Sequence, residues 1–89
     1  MFQAHLIISG KVQGVFYRAS CQEAAQGLGL TGWVKNLPAG EVEVLAQGEK
    51  EKIEKLIEWC KKGPAGARVS SVEVKWENIL NNSSSFEVK

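Results

Sequence analysis

Two segments of the chain carry residue types that could bind and attack an anion. The first, Gly10-Lys11-Val12-Gln13-Gly14-Val15-Phe16-Tyr17-Arg18, runs out of an alternating apolar stretch and into a helical one. In such a strand-to-helix turn, successive backbone N–H groups can converge on one anion, and the positive end of the helix dipole adds to them. Gly14 permits close backbone approach there. Arg18 stands at the helix entrance, where a cation opposes the dipole unless an anion lies beside it. The same segment also reads as a tight turn with Arg18 as a solvated first-turn residue, since many Gly-punctuated turns bind nothing. The second segment, Gly32-Trp33-Val34-Lys35-Asn36, ends just before a proline-containing turn. An Asn there either shapes the turn by bonding its own backbone or presents an amide that holds a water by one donor and one acceptor. Neither segment contains His, Asp or Glu, so what they offer is positioned charge and hydrogen bonding rather than proton transfer.

The elements that must position these residues follow from the hydrophobic spacing. His5 to Lys11 reads as a strand with Leu6 and Ile8 on one face, broken by Gly10 and Gly14. Cys21, Ala24, Ala25 and Leu28 then recur at helical spacing from Arg18 to Leu28, ended by Gly27 and Gly29. Thr31 to Leu37 and Glu41 to Gln47 form a hairpin around Pro38-Ala39-Gly40. Ile53, Leu56, Ile57 and Cys60 mark a second helix, with Glu49 and Glu51 at its start, Lys61 and Lys62 in its last turn and Gly63-Pro64 as its stop. Val72, Val74 and Trp76 alternate in a fourth strand, and Phe86 to Val88 adds a short fifth after the polar run from Asn81 to Ser85. This order predicts an α+β class fold, a ferredoxin-like βαββαβ sandwich in which an antiparallel sheet carries both helices on one face. Right-handed crossovers put strand three between one and two, and strand one between three and four. The loop after Lys11 and the end of strand two at Asn36 then share one edge of the sheet.

At 89 residues the chain is expected to form one domain over residues 1–89. Hydrophobic residues make up 44% and charged ones 24%, which suits a packed globule and not a disordered chain. Eleven basic against ten acidic residues leave a net charge of +1, too little for a broad field that would hold nucleic acid or an anionic membrane. The N-terminus has no basic flank before an apolar run, and no stretch approaches the roughly 20 apolar residues of a membrane span, so a cytoplasmic location is expected. Cys21 and Cys60 can form one bridge at most and are expected as reduced, buried small hydrophobes. With His5 as the one histidine and no Cys pair at ligand spacing, no metal site is expected. His5 reads as a strand-surface residue, and Trp33, Trp59 and Trp76, spread over different elements, read as packing residues.

The two segments resemble the signatures of the acylphosphatase family. Gly10 through Arg18 matches a Gly, any residue, then Val-Gln-Gly-Val before an aromatic and Arg. Gly32, Trp33, Val34, Lys35 and Asn36, followed by Gly40, Val42 and Gly48, match the second signature. Tyr17 departs from the pattern, in which Phe is more frequent, and this bears on how the loop packs. The resemblance implies hydrolysis of the carboxyl–phosphate bond of a small acyl phosphate. It implies that Gln13, Gly14, Val15, Phe16, Tyr17 and Arg18 cradle the phosphate, with Arg18 on the phosphoryl oxygens and Asn36 orienting the attacking water. No cofactor is expected, and a monomer is. Guanidinium forks onto two oxygens without a metal, and a carboxylate whose parent acid has a pKa near ~4 leaves without being protonated. Two other readings compete: an RNA-binding module, for which the aromatic-rich central strand is lacking, and a regulatory anion-binding domain without turnover.

Overall fold

The structure, a computed structural model, describes residues 1–79 and 81–89. Its elements are β1 (Phe2–Lys11), α1 (Tyr17–Gly27), β2 (Thr31–Asn36), β3 (Val42–Gly48), α2 (Lys50–Lys62), β4 (Arg68–Glu77) and β5 (Phe86–Val88). They form one five-stranded sheet in the order β4-β1-β3-β2-β5, the order expected for the first four strands. β1 pairs antiparallel with both β3 and β4, and β2 antiparallel with β3. β1 and β2 therefore run the same way on either side of β3, and their C-terminal ends, at Lys11 and Asn36, lie at one end of the sheet.

The sheet departs from the all-antiparallel expectation at its far edge. β5 lies parallel to β2, in the register Gly32↔Phe86, Trp33↔Glu87 and Val34↔Val88. The cause is directional: β4 runs antiparallel to β1 and so also to β2, and a strand that returns from β4 to the opposite edge runs back along β2. Buried Phe86 anchors the strand in the core. Gly32 N–H donates to the Ser85 carbonyl at 2.9 Å, and Lys89 N–H to the Val34 carbonyl at 2.8 Å. The returning strand thus delivers Val88 and Lys89 to the end of the sheet that holds Lys11 and Asn36.

Alternation along the strands sets which residues meet the helices. Ala4, Leu6 and Ile8 of β1, Val34 of β2, and Val42, Val44 and Ala46 of β3 are fully buried on the helix-covered face. From the helices, Cys21 and Ala25 of α1 and Ile53, Leu56, Ile57 and Cys60 of α2 close over them. These are the helical positions expected from the spacing, with Ala24 and Leu28 half-buried against the same core. On the opposite face His5 meets Glu43, and the Lys35 ammonium lies 3.4 Å from the same carboxylate. Trp59 packs on Tyr17 with ring centroids 5.3 Å apart. Trp76, on edge strand β4, remains 40% exposed, because only β1 flanks that strand.

Gly10 has a backbone role as well as a place in the loop. The register between β1 and β4 shifts between Ser9 and Gly10, and Gly10 takes φ +123. A Cβ there would lie 2.2 Å from the Arg68 carbonyl oxygen. A glycine at this bulge lets β1 turn out of the ladder and start the loop toward α1.

Candidate active site

The loop leaves β1 at Lys11 and enters α1 at Tyr17. Two positive-φ residues flanking Val15 shape it: Gly14 at φ +76 and Phe16 at φ 63, ψ 25. No residue approaches the position a Gly14 Cβ would occupy, so glycine serves the backbone conformation and not packing. Phe16 is the N-cap residue of α1, and its carbonyl accepts from Ser20 N–H at 3.1 Å. Its side chain makes no capping bond, and holding a bulky residue in the left-handed region costs roughly 1–2 kcal/mol. Among the described residues, no hydrogen bond draws on the N–H groups of Gly14 through Ala19. The first N–H groups of a helix have no intrahelical acceptor, and here the loop before them adds more free donors. The first turn of α1 holds no acidic residue. Arg18 therefore stands among unfilled donors, a local field that an anion would neutralise.

The loop and the β2–β3 hairpin wall a cavity of about 290 Å³ lined by Val12, Gln13, Gly14, Phe16, Tyr17, Arg18, Ala19, Asn36 and Val88. The two residues that sequence reasoning singled out for chemistry, Arg18 and Asn36, thus border one space although 18 positions apart in the chain. Arg18 Nη1 donates to the Lys89 carbonyl at 3.0 Å, which steers the guanidinium along the sheet edge and leaves its other donors for the cavity. Asn36 is the last residue of β2, paired with Val42. Its Oδ1 is buried without a hydrogen-bond partner among the described residues. Buried acceptors in native proteins ordinarily find donors, so this atom is a polar group left unmet on a residue that lines the cavity.

The cradle segment divides in a way the sequence leaves open. Gln13 turns toward the hairpin, with Nε2 donating to the Leu37 carbonyl at 2.8 Å and the Glu41 carbonyl at 2.9 Å. It clamps the loop to the turn that follows Asn36, fixing the two motifs relative to one another. Val15 does not line the cavity. Its side chain packs against the core, which leaves its peptide as its contribution to the loop. Tyr17 is almost wholly buried, and its hydroxyl donates to the Cys60 carbonyl at 2.7 Å. Burial pushes the phenol well above its ordinary pKa, with the neighbouring Cys60 adding to the effect. Cys60 and Cys21 are both free and buried. A hydrogen bond to Cys60, followed by burial, holds the Cys21 thiol well above its usual range, so it stays protonated and unreactive.

Tyr17 also explains why Tyr replaces Phe in this loop. The Cys60 carbonyl lies in the last turn of α2, and the residue four positions on is Pro64, which has no N–H to give. The phenol supplies the missing donor. Tyr17→Phe leaves that carbonyl buried and unbonded and is expected to lower stability by about 1–3 kcal/mol. Urea unfolding of the two proteins measures the difference, and equal midpoints with equal slopes would contradict it.

Two contributions to the site were not signalled by any motif. Val88 and the Lys89 backbone reach it through β5, which a three-residue alternating run identifies as a strand without saying which edge it joins.

The chain is similar to known proteins along almost its whole length. The family model described as Acylphosphatase matches residues 4–88. A curated acylphosphatase of Acaryochloris marina is 55% identical over 82 residues, covering 92% of this chain and 87% of the relative. Among solved structures, an acylphosphatase from Bacillus subtilis superposes with a TM-score of 0.97 at 34% identity, covering 100% of this chain and 99% of the other. One from Coxiella burnetii gives 0.93 at 45% identity, over 99% and 92%.

Proposed function

We propose a division of labour within a chain that belongs to the acylphosphatase family and is an enzyme of that activity: Arg18 and the loop amides bind the phosphoryl group, and Asn36 orients the water that attacks it. In this reading the N–H groups from Gly14 to Ala19 and the guanidinium surround the phosphoryl oxygens. Water, held by the Asn36 amide, forms the new P–O bond as the acyl–oxygen–phosphorus link breaks. The bonding pair departs with the carboxylate, and the protons of the water pass to phosphate and solvent. The leaving carboxylate is a weak base, so no general acid is needed, and the first turn of α1 offers none. Charge developing on the phosphoryl oxygens meets donors already in place, which is the largest kind of contribution to such a step.

The observation that carries this reading is the meeting of Arg18 and Asn36 across one cavity, with the Asn36 acceptor buried and unpartnered. In this reading the enzyme acts as a monomer over residues 1–89 and without a metal ion, because Arg18 and the loop amides supply the charge stabilisation that a cation gives other phosphoryl-transfer sites. Its two free thiols suit the reducing cytoplasm. The test follows hydrolysis of acetyl phosphate in excess chelator, beside an alkyl phosphate monoester and with inorganic phosphate as inhibitor. Full turnover of the acyl phosphate, little of the monoester and competitive inhibition are expected. Metal-reversible loss of activity in chelator, or equal rates on both substrates, would reject the mechanism.

A further inference from the structure

We propose that Gln22 is a positioning residue for the phosphoryl site: by holding β5 against α1 it sets where the Lys89 carbonyl meets Arg18, and so how the guanidinium faces the cavity. This rests on the reading of Arg18 as the phosphoryl ligand. The starting point is how few contacts place β5. It is three residues long and forms an edge of the sheet, with β2 as its one neighbouring strand. The backbone bonds at its two ends, Gly32 N–H to the Ser85 carbonyl and Lys89 N–H to the Val34 carbonyl, fix its register along β2. They do not fix how far it leans toward the helix layer. An edge strand with so short a ladder opens locally more readily than the strands inside the sheet.

Two side chains of α1 set that lean. Gln22 Nε2 donates to the Phe86 carbonyl at 2.9 Å, and Arg18 Nη1 to the Lys89 carbonyl at 3.0 Å. Among the described residues these are the side-chain donors that reach residues 86–89. Arg18 and Gln22 stand one turn apart on the same face of the helix. Because α1 leaves the site end of the sheet while β5 runs toward it, Gln22 meets the start of the strand and Arg18 the residue just past its end. Gln22 is half-buried and is not part of the cavity lining, so its amide serves the strand and not the substrate. Phe86 also anchors β5 through its buried ring, but apolar contact does not fix the direction of its carbonyl. Arg18 gives one of its five donors to Lys89, and because the guanidinium is a rigid plane, the direction of that bond sets the direction of the others. Without the Gln22 bond the Lys89 carbonyl is free to move, and phosphate has to order the guanidinium as it binds, which weakens affinity.

The experiment replaces Gln22 by Met, which keeps an unbranched side chain and a similar helix propensity but has no donor. Gln26→Met, the same change at an exposed α1 residue away from the cavity, is the control. For the parent and both variants three quantities are read: the thermal midpoint, the affinity for inorganic phosphate by calorimetry, and the mobility of the Arg18 Nε–H group by NMR relaxation. Gln22→Met should weaken phosphate binding about fivefold, the scale of one neutral hydrogen bond, and lower kcat/KM for acetyl phosphate by at least that factor. Arg18 should become more mobile while the midpoint stays close to that of the parent. Gln26→Met should match the parent in all three. Unchanged phosphate affinity in Gln22→Met, or weakened affinity with Arg18 as rigid as in the parent, would overturn the proposal. Equal losses in Gln26→Met, or losses that follow a lowered midpoint, would overturn it as well. Arg18→Ala tests the underlying reading separately: if that variant binds phosphate as the parent does, Arg18 is not the ligand, whatever Gln22 does.

Discussion

Arg18→Ala is expected to lose turnover and phosphate affinity together, with kcat/KM falling on the order of a thousandfold or more, the scale at which an arginine stabilises phosphoryl transfer. The guanidinium contacts the phosphoryl oxygens in the ground state and in the transition state, so both KM and kcat suffer. Arg18→Lys should recover little, because an ammonium is a point charge that cannot fork onto two oxygens. The fold itself has little at stake. The one hydrogen bond Arg18 makes among the described residues, to the Lys89 carbonyl, is solvent-exposed, and such a bond contributes about 0.5–1.5 kcal/mol. Steady-state kinetics, phosphate titration and a thermal melt separate these effects. An Arg18→Ala protein that still bound phosphate as the parent does would move the anion site away from this loop.

Asn36→Ala is expected to fail differently: kcat should fall on the order of 100-fold or more, as when one positioned catalytic hydrogen bond is removed, while phosphate binds almost as to the parent. The structure adds a point that separates this from a folding defect. Asn36 Oδ1 has no partner among the described residues, so replacing the amide breaks no bond of the fold. It also removes a buried acceptor that is otherwise costly to leave unmet. Stability should hold or rise slightly. An asparagine whose main service was to shape the turn would behave in the opposite sense, with stability lost and kcat kept. Loss of phosphate affinity as severe as in Arg18→Ala would equally refute the assignment to water.

Much of this arrangement was legible in the chain because its causes are local. Alternation in Leu6 and Ile8 and in Val42, Val44 and Ala46, and helical spacing in Ile53, Leu56, Ile57 and Cys60, mark which faces are buried, and all of these residues are. The order of those elements, with right-handed crossovers, then puts the ends of β1 and β2 side by side. Arg18 at a helix entrance opposes the dipole, which marks it as a candidate anion ligand in the sequence while leaving a solvated first-turn residue as the alternative. Roles within the loop were less legible, since Gln13, Val15 and Tyr17 stand in the same motif yet point to the hairpin, the core and the end of α2 respectively.

Sequence by itself thus determined the element types, their order, the two motifs and the chemistry that Arg18 and Asn36 could perform, because propensity, periodicity and charge act over a few neighbouring residues. Tertiary structure decided which donors remain free. Among the described residues the amides from Gly14 to Ala19 go unused, those of Gly14 to Phe16 because the loop pairs with no strand and those of Tyr17 to Ala19 because the first turn of α1 has no intrahelical acceptor for them. It also decided that β5 returns beside β2, bringing Val88 and the Lys89 carbonyl to Arg18, and that Tyr17 is the donor for a carbonyl stranded by Pro64. These outcomes depend on contacts between residues 43 to 71 positions apart. No local pattern encodes such contacts, since they form only when the whole sheet and both helices have closed over one core.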